Sequence, residues 1–465
     1  MEFGFQGGGG GAAVPYVESV TGLNTDNTDP QNPIVEISVD GSTITGLGTP
    51  ASPLVASLLI PSGVFGITDS LGVYTYYATL TLAMAAADGG DTIEMFANVT
   101  ENADVTITLK DAVNINGNGY TYTLKTNTAI SAFIDNGIAI NITISNITIN
   151  RIGTAGTGIS ITGASYLKCA STNLTCTSGT IALVVNNASA EIYSVNAKGY
   201  NPVVAITNGN IYNSELRSVN GTGLQISAGS ANNCTAYGLG ADGIYMLGGR
   251  LVDCIGIGQT NSGISAYGGT MQGCTGYGFG GSGIYINSQS MIIMSCVGYS
   301  IAGSGIFSNS YYTLNCDGYS SAGAGIGMIN GTLNGCSGYS TATSGIYASN
   351  SGASISEIRS CQARSTAGIA LVMDNATSGC KIYNTEVNCL WNNIAGYGIK
   401  VLVSNTEIVN CLVEVTNATA NAIYAATPLT AKYANNAFRG CTTPISANIT
   451  QSIVNTQDNK GNILI

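Results

Sequence analysis

The sequence predicts an all-β chain wound as a single-stranded parallel β-helix, a solenoid whose coils each take about 20–22 residues. Three observations carry this. A cysteine returns at nearly fixed spacing as Cys234, Cys254, Cys274, Cys296, Cys316 and Cys336. Most are followed by a tyrosine, as in Cys274-Thr-Gly-Tyr277 and Cys296-Val-Gly-Tyr299, and then by a Gly-Ile step that runs from Gly243-Ile244 to Gly345-Ile346. The segments between are rich in Gly, Ser and Thr. They alternate with a period of two and lack helical periodicity. A fixed period with apolar residues in register makes each repeat one unit stacked on the next.

Composition agrees. Charged residues are 8% of the 465, with a net charge of −11. Low charge suits stacked ladders, where like charges on adjacent rungs repel. The acidic balance speaks against nucleic acid, which needs a basic footprint. No apolar run reaches the ~18–20 residues of a membrane helix, so no membrane insertion is expected. The start lacks the charged and apolar regions of a signal peptide.

Thirteen cysteines occur with no histidine. Spaced one coil apart, they do not cluster as zinc ligands do. They read instead as small apolar side chains filling an inner stack. Stacked side chains point in parallel, which disfavours disulfides, and free thiols suit assembly in a reducing cytoplasm. No metal and no cofactor are expected.

In chain order, residues 1–11 form a Gly-rich leader or anchor. Residues 12–70 form a small β module, with strands Ile34–Val39 and Thr43–Thr45 around the hairpin signal Asp40-Gly41. Within 71–90, the Ala-rich run 76–87 reads as a capping helix stopped by Gly89-Gly90. The β-helix occupies 91–445. It opens with Val105–Leu109, Val113–Ile115, the turn Asn116–Gly119 and the alternating run Ile138–Ile149, and continues through Cys361, Cys389, Cys411 and Cys441. Residues 446–465 make a C-terminal cap or tail.

The helix running into Gly90-Asp91-Thr92-Ile93, then a strand, then Ile115-Asn-Gly-Asn-Gly119, resembles the opening of right-handed parallel β-helices of the pectin-lyase-like kind. The resemblance spans roughly 70–445 and is strongest to spikes and fibres of bacteriophage virions. Residues 17–60 are similar to phage connector modules. This implies a homotrimer on the virion surface, assembled in the host cytoplasm and held to a capsid or tail protein through residues 1–70. Its solenoid would bind a host surface glycan or receptor without catalysis. A polysaccharide depolymerase (hydrolase or lyase) on the same scaffold and a purely structural head fibre are the alternatives.

Two sets of side chains are candidates for function. Tyr245, Tyr285, Phe307 and Tyr347 each follow an inward position by one, so they point outward, where aromatics contact sugars or neighbouring subunits. Trp391 joins them as a binding aromatic. Tyr237, Tyr277, Tyr299, Tyr319 and Tyr339 form a second column, with Ile257 in its gap. For catalysis, Glu357, Glu386 and Glu407 each lie a few residues before a cysteine and read as equivalent places on successive coils. Carboxylates stacked ~5 Å apart would approach the separation that a retaining glycosidase uses. Alternatively, they fan outward into solvent.

Overall fold

The computed structural model describes residues 63–68, 73–102, 105–126, 130–153, 156–163, 165–177, 181–350, 356–375, 380–389, 397–416, 419–451 and 463–464, together with the strands Asn24–Asp26, Ile34–Val39, Ser42–Thr45 and Val55–Leu58. Those four strands form one antiparallel sheet. The two that flank Asp40-Gly41 are paired neighbours. The remainder is a parallel β-solenoid of about 15 turns. No helix among the described residues is long and apolar enough to cross a membrane.

The first coil is closed by an antiparallel pair, Phe65–Thr68 with Tyr74–Tyr77, and Phe65–Thr68 also pairs with Thr92–Met95. The solenoid sheet therefore reaches back into the segment assigned to the β module. The helix spans Leu80–Ala86, shorter than the Ala-rich run suggests. Tyr76 and Tyr77 are held in the strand, and Thr79 caps the helix by accepting from the Leu82 N–H at 3.2 Å. Leu80, Ala83 and Met84 face the core. At the far end, Ile449–Gln451 pairs with Leu429–Ala431, so the sheet runs past residue 445.

Each regular coil has three short strands, such as Ile264–Ala266, Thr270–Gln272 and Thr275–Gly278. Each pairs in register with its counterpart one coil on: Ile264 with Ile284, Met271 with Ile293, Tyr277 with Tyr299. The alternation seen in sequence thus becomes columns. Leu224, Ile244, Ile264, Ile284, Ile306, Ile326 and Ile346 form the fully buried first-strand column. Burying each such side chain contributes about 1.5–3 kcal/mol.

The corner between second and third strands is made by one left-handed residue per coil. Asn233, Asp253, Ser295 and Asn315 have φ of 52°, 50°, 53° and 51°, and Gly273 and Gly335 take the same place. Short polar residues and glycine tolerate this conformation. The next residue turns inward. Cys234, Cys254, Cys274, Cys296, Cys316 and Cys336 fill that place and Cys361 extends the stack; every cysteine with a described side chain is free and buried. Each thiol donates to the carbonyl two residues back, as Cys254 does to Val252 at 3.2 Å. Burial pushes the Cys169 and Cys380 thiols up to about 12 and Cys411 to about 11, so they remain protonated. Cys389 pairs with Ser365 and belongs to another column; Thr385 takes the stack position in that coil.

A glycine seam explains the Gly-Tyr and Gly-Ile motifs. Gly256, Gly276, Gly298, Gly318 and Gly338 face inward on the third strand, opposite Gly263, Gly283, Gly305, Gly325 and Gly345. A Cβ on Gly276 would fall inside 3.0 Å of the Gly283 carbonyl oxygen, and one on Gly298 would meet the Gly305 oxygen as closely. Backbone thus packs directly on backbone where the third strand turns into the next first strand, with no room for a side chain between them.

Among the described residues two acidic groups are buried. Asp135 is fully enclosed and accepts from the N–H groups of Gly137, Thr162 and Gly163 at 3.1, 3.0 and 2.7 Å. The hydroxyls of Thr162 and Ser165 also donate to it, at 2.9 and 2.8 Å. Burial opposes its charge, but these donors outweigh burial and hold its carboxyl below the ordinary range.

Asp242 occupies the column of Ser262, Ser282, Ser304 and Ser344. Burial raises its pKa against bonds from Ser265 and the Ser262 N–H. A raised carboxyl favours the folded state only while protonated, so its contribution is lost as pH rises through the folded value. Asp242→Ser should therefore raise stability at pH 7 by up to about 1 kcal/mol, read as a higher melting temperature. A lower melting temperature would show that the charged form is a net stabiliser.

Candidate functional site

The outer face of the third strands carries a column of partly exposed aromatic side chains. Tyr237, Ile257, Tyr277, Tyr299, Tyr319 and Tyr339 align one per coil. The Tyr277 and Tyr299 rings stack at 5.0 Å and 7°, and Tyr299 on Tyr319 at 5.0 Å and 12°. Tyr339 breaks the stack, lying 6.4 Å from Tyr319 and tilted by 52°. Stacking occupies the ring faces, so the exposed parts are edges and hydroxyls. The hydroxyls of Tyr277, Tyr299, Tyr319 and Tyr339 make no hydrogen bond to any described residue. Burial, and then Asp317, raise the pKa of Tyr319, which keeps its hydroxyl a neutral donor.

Two residues on along each strand lies a parallel column: Phe279, Ile301, Ser321 and Thr341. Their backbone N–H groups bond one coil back, as Ile301 does to Gly278 and Ser321 to Ser300. Phe279 is 48% and Ile301 56% exposed. The two columns wall a groove of about 410 Å³ whose lining contains no Lys or Arg. Sequence reasoning found the tyrosines but missed this second column. The signal was present, because residues two apart on a strand share a face.

The other aromatic column is more enclosed. Tyr245, Tyr285, Phe307 and Tyr347 fall in one register with Ser265 and Gly327 between them. All four are half-buried. Tyr267 covers the Ser265 rung, 5.3 Å from Tyr245 and 6.2 Å from Tyr285, while Tyr285 stacks on Phe307 at 5.2 Å. The Tyr347 hydroxyl donates to Asp374 at 2.7 Å; burial and that carboxylate push it up to about 12. These rings pack chiefly on one another and on the strand. Trp391 lies outside the described residues.

The three glutamates do not stack. Glu357 pairs with Lys381, Lys381 with Glu407, and Glu407 with Lys432, giving one column of alternating charge on the second strand. Glu386 lies on the third strand, between Gln362 and Leu412. Each is already engaged. Glu357 bridges Arg359 at 2.7 Å, Glu386 accepts from Gln362 at 3.0 Å, and Glu407 accepts from Tyr383 at 2.7 Å and Lys432 at 3.0 Å. Burial works against the charge of Glu407, but Tyr383 and Lys432 prevail and hold its carboxyl below the usual range. That is the opposite of the raised pKa a general acid needs. Among the described residues no group of three or more His, Cys, Asp or Glu is placed to hold a metal ion.

No family model matches the chain, and no curated protein matches it. Some solved structures show a weak likeness. A mutant tailspike protein of E. coli bacteriophage HK620, in complex with a pentasaccharide, aligns with a TM-score of 0.33 and 10% identity over 83% of this chain and 73% of its own. The catalytic domain of a GH87 α-1,3-glucanase, in complex with tetrasaccharides, gives 0.26 and 12% over 79% and 69%. The A-module of an Azotobacter vinelandii mannuronan C-5 epimerase gives 0.17 and 10% over 83% and 93%. At these values the likeness carries no argument, and the site is read from the chain's own geometry.

Proposed function

We propose that the chain is a non-enzymatic attachment rod, a virion spike or fibre, that binds a glycan of the host surface along its third-strand face. The carrying observation is the tyrosine column with its free hydroxyls, repeated once per coil beside an open groove. Coil rise is ~4.8 Å, close to the length of one sugar ring in an extended chain, so successive rungs can meet successive sugars. Residues 1–70 are proposed as the attachment to a capsid or tail protein. Assembly as a homotrimer would multiply weak sites through effective concentration. A depolymerase is disfavoured by the separation and pairing of Glu357, Glu386 and Glu407.

The test is to incubate the full chain with host-surface polysaccharide and follow both bound fraction and polymer size. Binding without shortening is expected, with Tyr299→Ala and Tyr319→Ala each weakening it by about 1–2 kcal/mol at unchanged fold. Shortened polymer would overturn the non-enzymatic reading. Intact binding in both variants would move the site elsewhere.

A further inference from the structure

The groove is not uniform along its axis, and its asymmetry bears on which glycan it takes. Over four successive coils the tyrosine wall is constant, while the facing wall changes from Phe279 and Ile301 to Ser321 and Thr341. The change falls between two adjacent rungs. Phe279 and Ile301 expose about half their surface. On the other side of that step, Thr341 donates its hydroxyl to the Ser321 carbonyl at 2.8 Å, leaving its oxygen free to accept, and the Ser321 hydroxyl is exposed. One half of the groove thus offers carbon beside phenol edges, and the other offers hydroxyls beside phenol hydroxyls.

Charge narrows the choice further. No cation lines the groove. On these strands the acid Asp317 lies two residues before Tyr319, Arg364 stands one rung beyond Tyr339 at the end of the column, and the chain as a whole carries −11. Within these four rungs an anionic polymer would meet the Asp317 charge with no cation among the lining residues, Arg364 being reached only beyond the last of them.

Resting on the glycan-binding reading above, we infer that the ligand is an uncharged polysaccharide bearing a methyl-terminated substituent on the sugar that sits between Tyr277, Tyr299, Phe279 and Ile301, with free hydroxyls on the sugar that sits beside Ser321 and Thr341. The substituent is an acetyl group or the methyl of a 6-deoxy sugar, which share that chemistry. A sugar hydroxyl placed against Ile301 would lose its water without gaining a partner, whereas a methyl group gains by the same burial. The groove therefore discriminates chiefly by what it fails to hydrogen-bond.

The experiment is a glycan array probed with the full chain. Each neutral O-acetylated polysaccharide is printed beside its alkali-treated form, each 6-deoxyhexose polymer beside its hexose counterpart, and polygalacturonate serves as the anionic probe. Binding to neutral substituted polymers is expected, with roughly a tenfold loss in one of the matched pairs. Loss on alkali treatment assigns the acetyl ester; loss on replacing the 6-deoxyhexose assigns the deoxy carbon. Ile301→Ser should abolish the difference within the pair yet keep binding to the unsubstituted member, whereas Tyr299→Ala should lower both. Equal binding within every pair, or strongest binding to polygalacturonate, overturns the inference and leaves glycan binding standing. Failure of the folded chain to bind any polymer overturns both.

Discussion

Gly298→Ala should destabilise the solenoid by about 3 kcal/mol, and Gly298→Val should prevent folding. The side chain added is small, and the cost comes from where it lands. Its Cβ would meet the Gly305 carbonyl oxygen and the Ile306 side chain, both inside 3.0 Å. A carbonyl that already accepts a ladder hydrogen bond, here from the Ile284 N–H at 2.9 Å, cannot retreat without breaking that bond. Relief by local repacking is blocked because the same contact recurs in the coils above and below. Denaturant unfolding followed by circular dichroism measures the effect, with Gly89→Ala as reference. A Cβ at Gly89 would find only ordinary contacts, 3.7 Å from the Asp111 oxygen, so that variant should lie within about 0.5 kcal/mol of the parent. If both variants unfold at the same midpoint, the seam has slack and is not the limit on coil thickness.

Asp135→Asn should cost about 3 kcal/mol, although it removes no volume. All the contacts of Asp135 described above come from donors: three N–H groups and two hydroxyls. An amide would turn an NH₂ toward some of them, and buried donors facing a donor lose both their bond and their water. The pH dependence follows with a definite sign. Because the folded carboxyl titrates below its unfolded value, its stabilisation is complete above the ordinary carboxylate range and disappears as pH falls through the folded value. The parent should thus lose stability on acidification below about pH 4. Asp135→Asn should lose less over the same interval, since the group that titrates is gone. Parallel acid profiles for the two proteins would mean that Asp135 does not contribute through its charge.

The repeat made much of this molecule legible before any coordinates. Period-two alternation fixed which residues of Cys-x-Gly-Tyr face inward, and the columns of Ile, Cys and Tyr follow from stacking equal units. Corners were less legible. Asn384-Thr-Glu386 and Asn405-Thr-Glu407 are the same tripeptide, and both asparagines are left-handed, with φ of 50° and 61°. Yet Asn384 turns into a third strand and Asn405 into a second one. A left-handed residue ends one strand and starts another without belonging to either, so identical local sequence can lie at different corners. That is why three glutamates that align on paper separate in space. The glycines were legible as a motif but not as a seam, because sequence does not distinguish a glycine needed for a turn from one needed for thinness.

Thinness has a mechanical side. The resistance of a strut to bending grows steeply with its depth in the plane of the bend. Where backbone meets backbone at the glycine columns no side chain spaces the two walls, so the regular coils should yield along that line first. The tyrosine face borders this compliant line. A rod that can bow toward a surface there could lay several rungs against a curved polymer without unstacking a single coil.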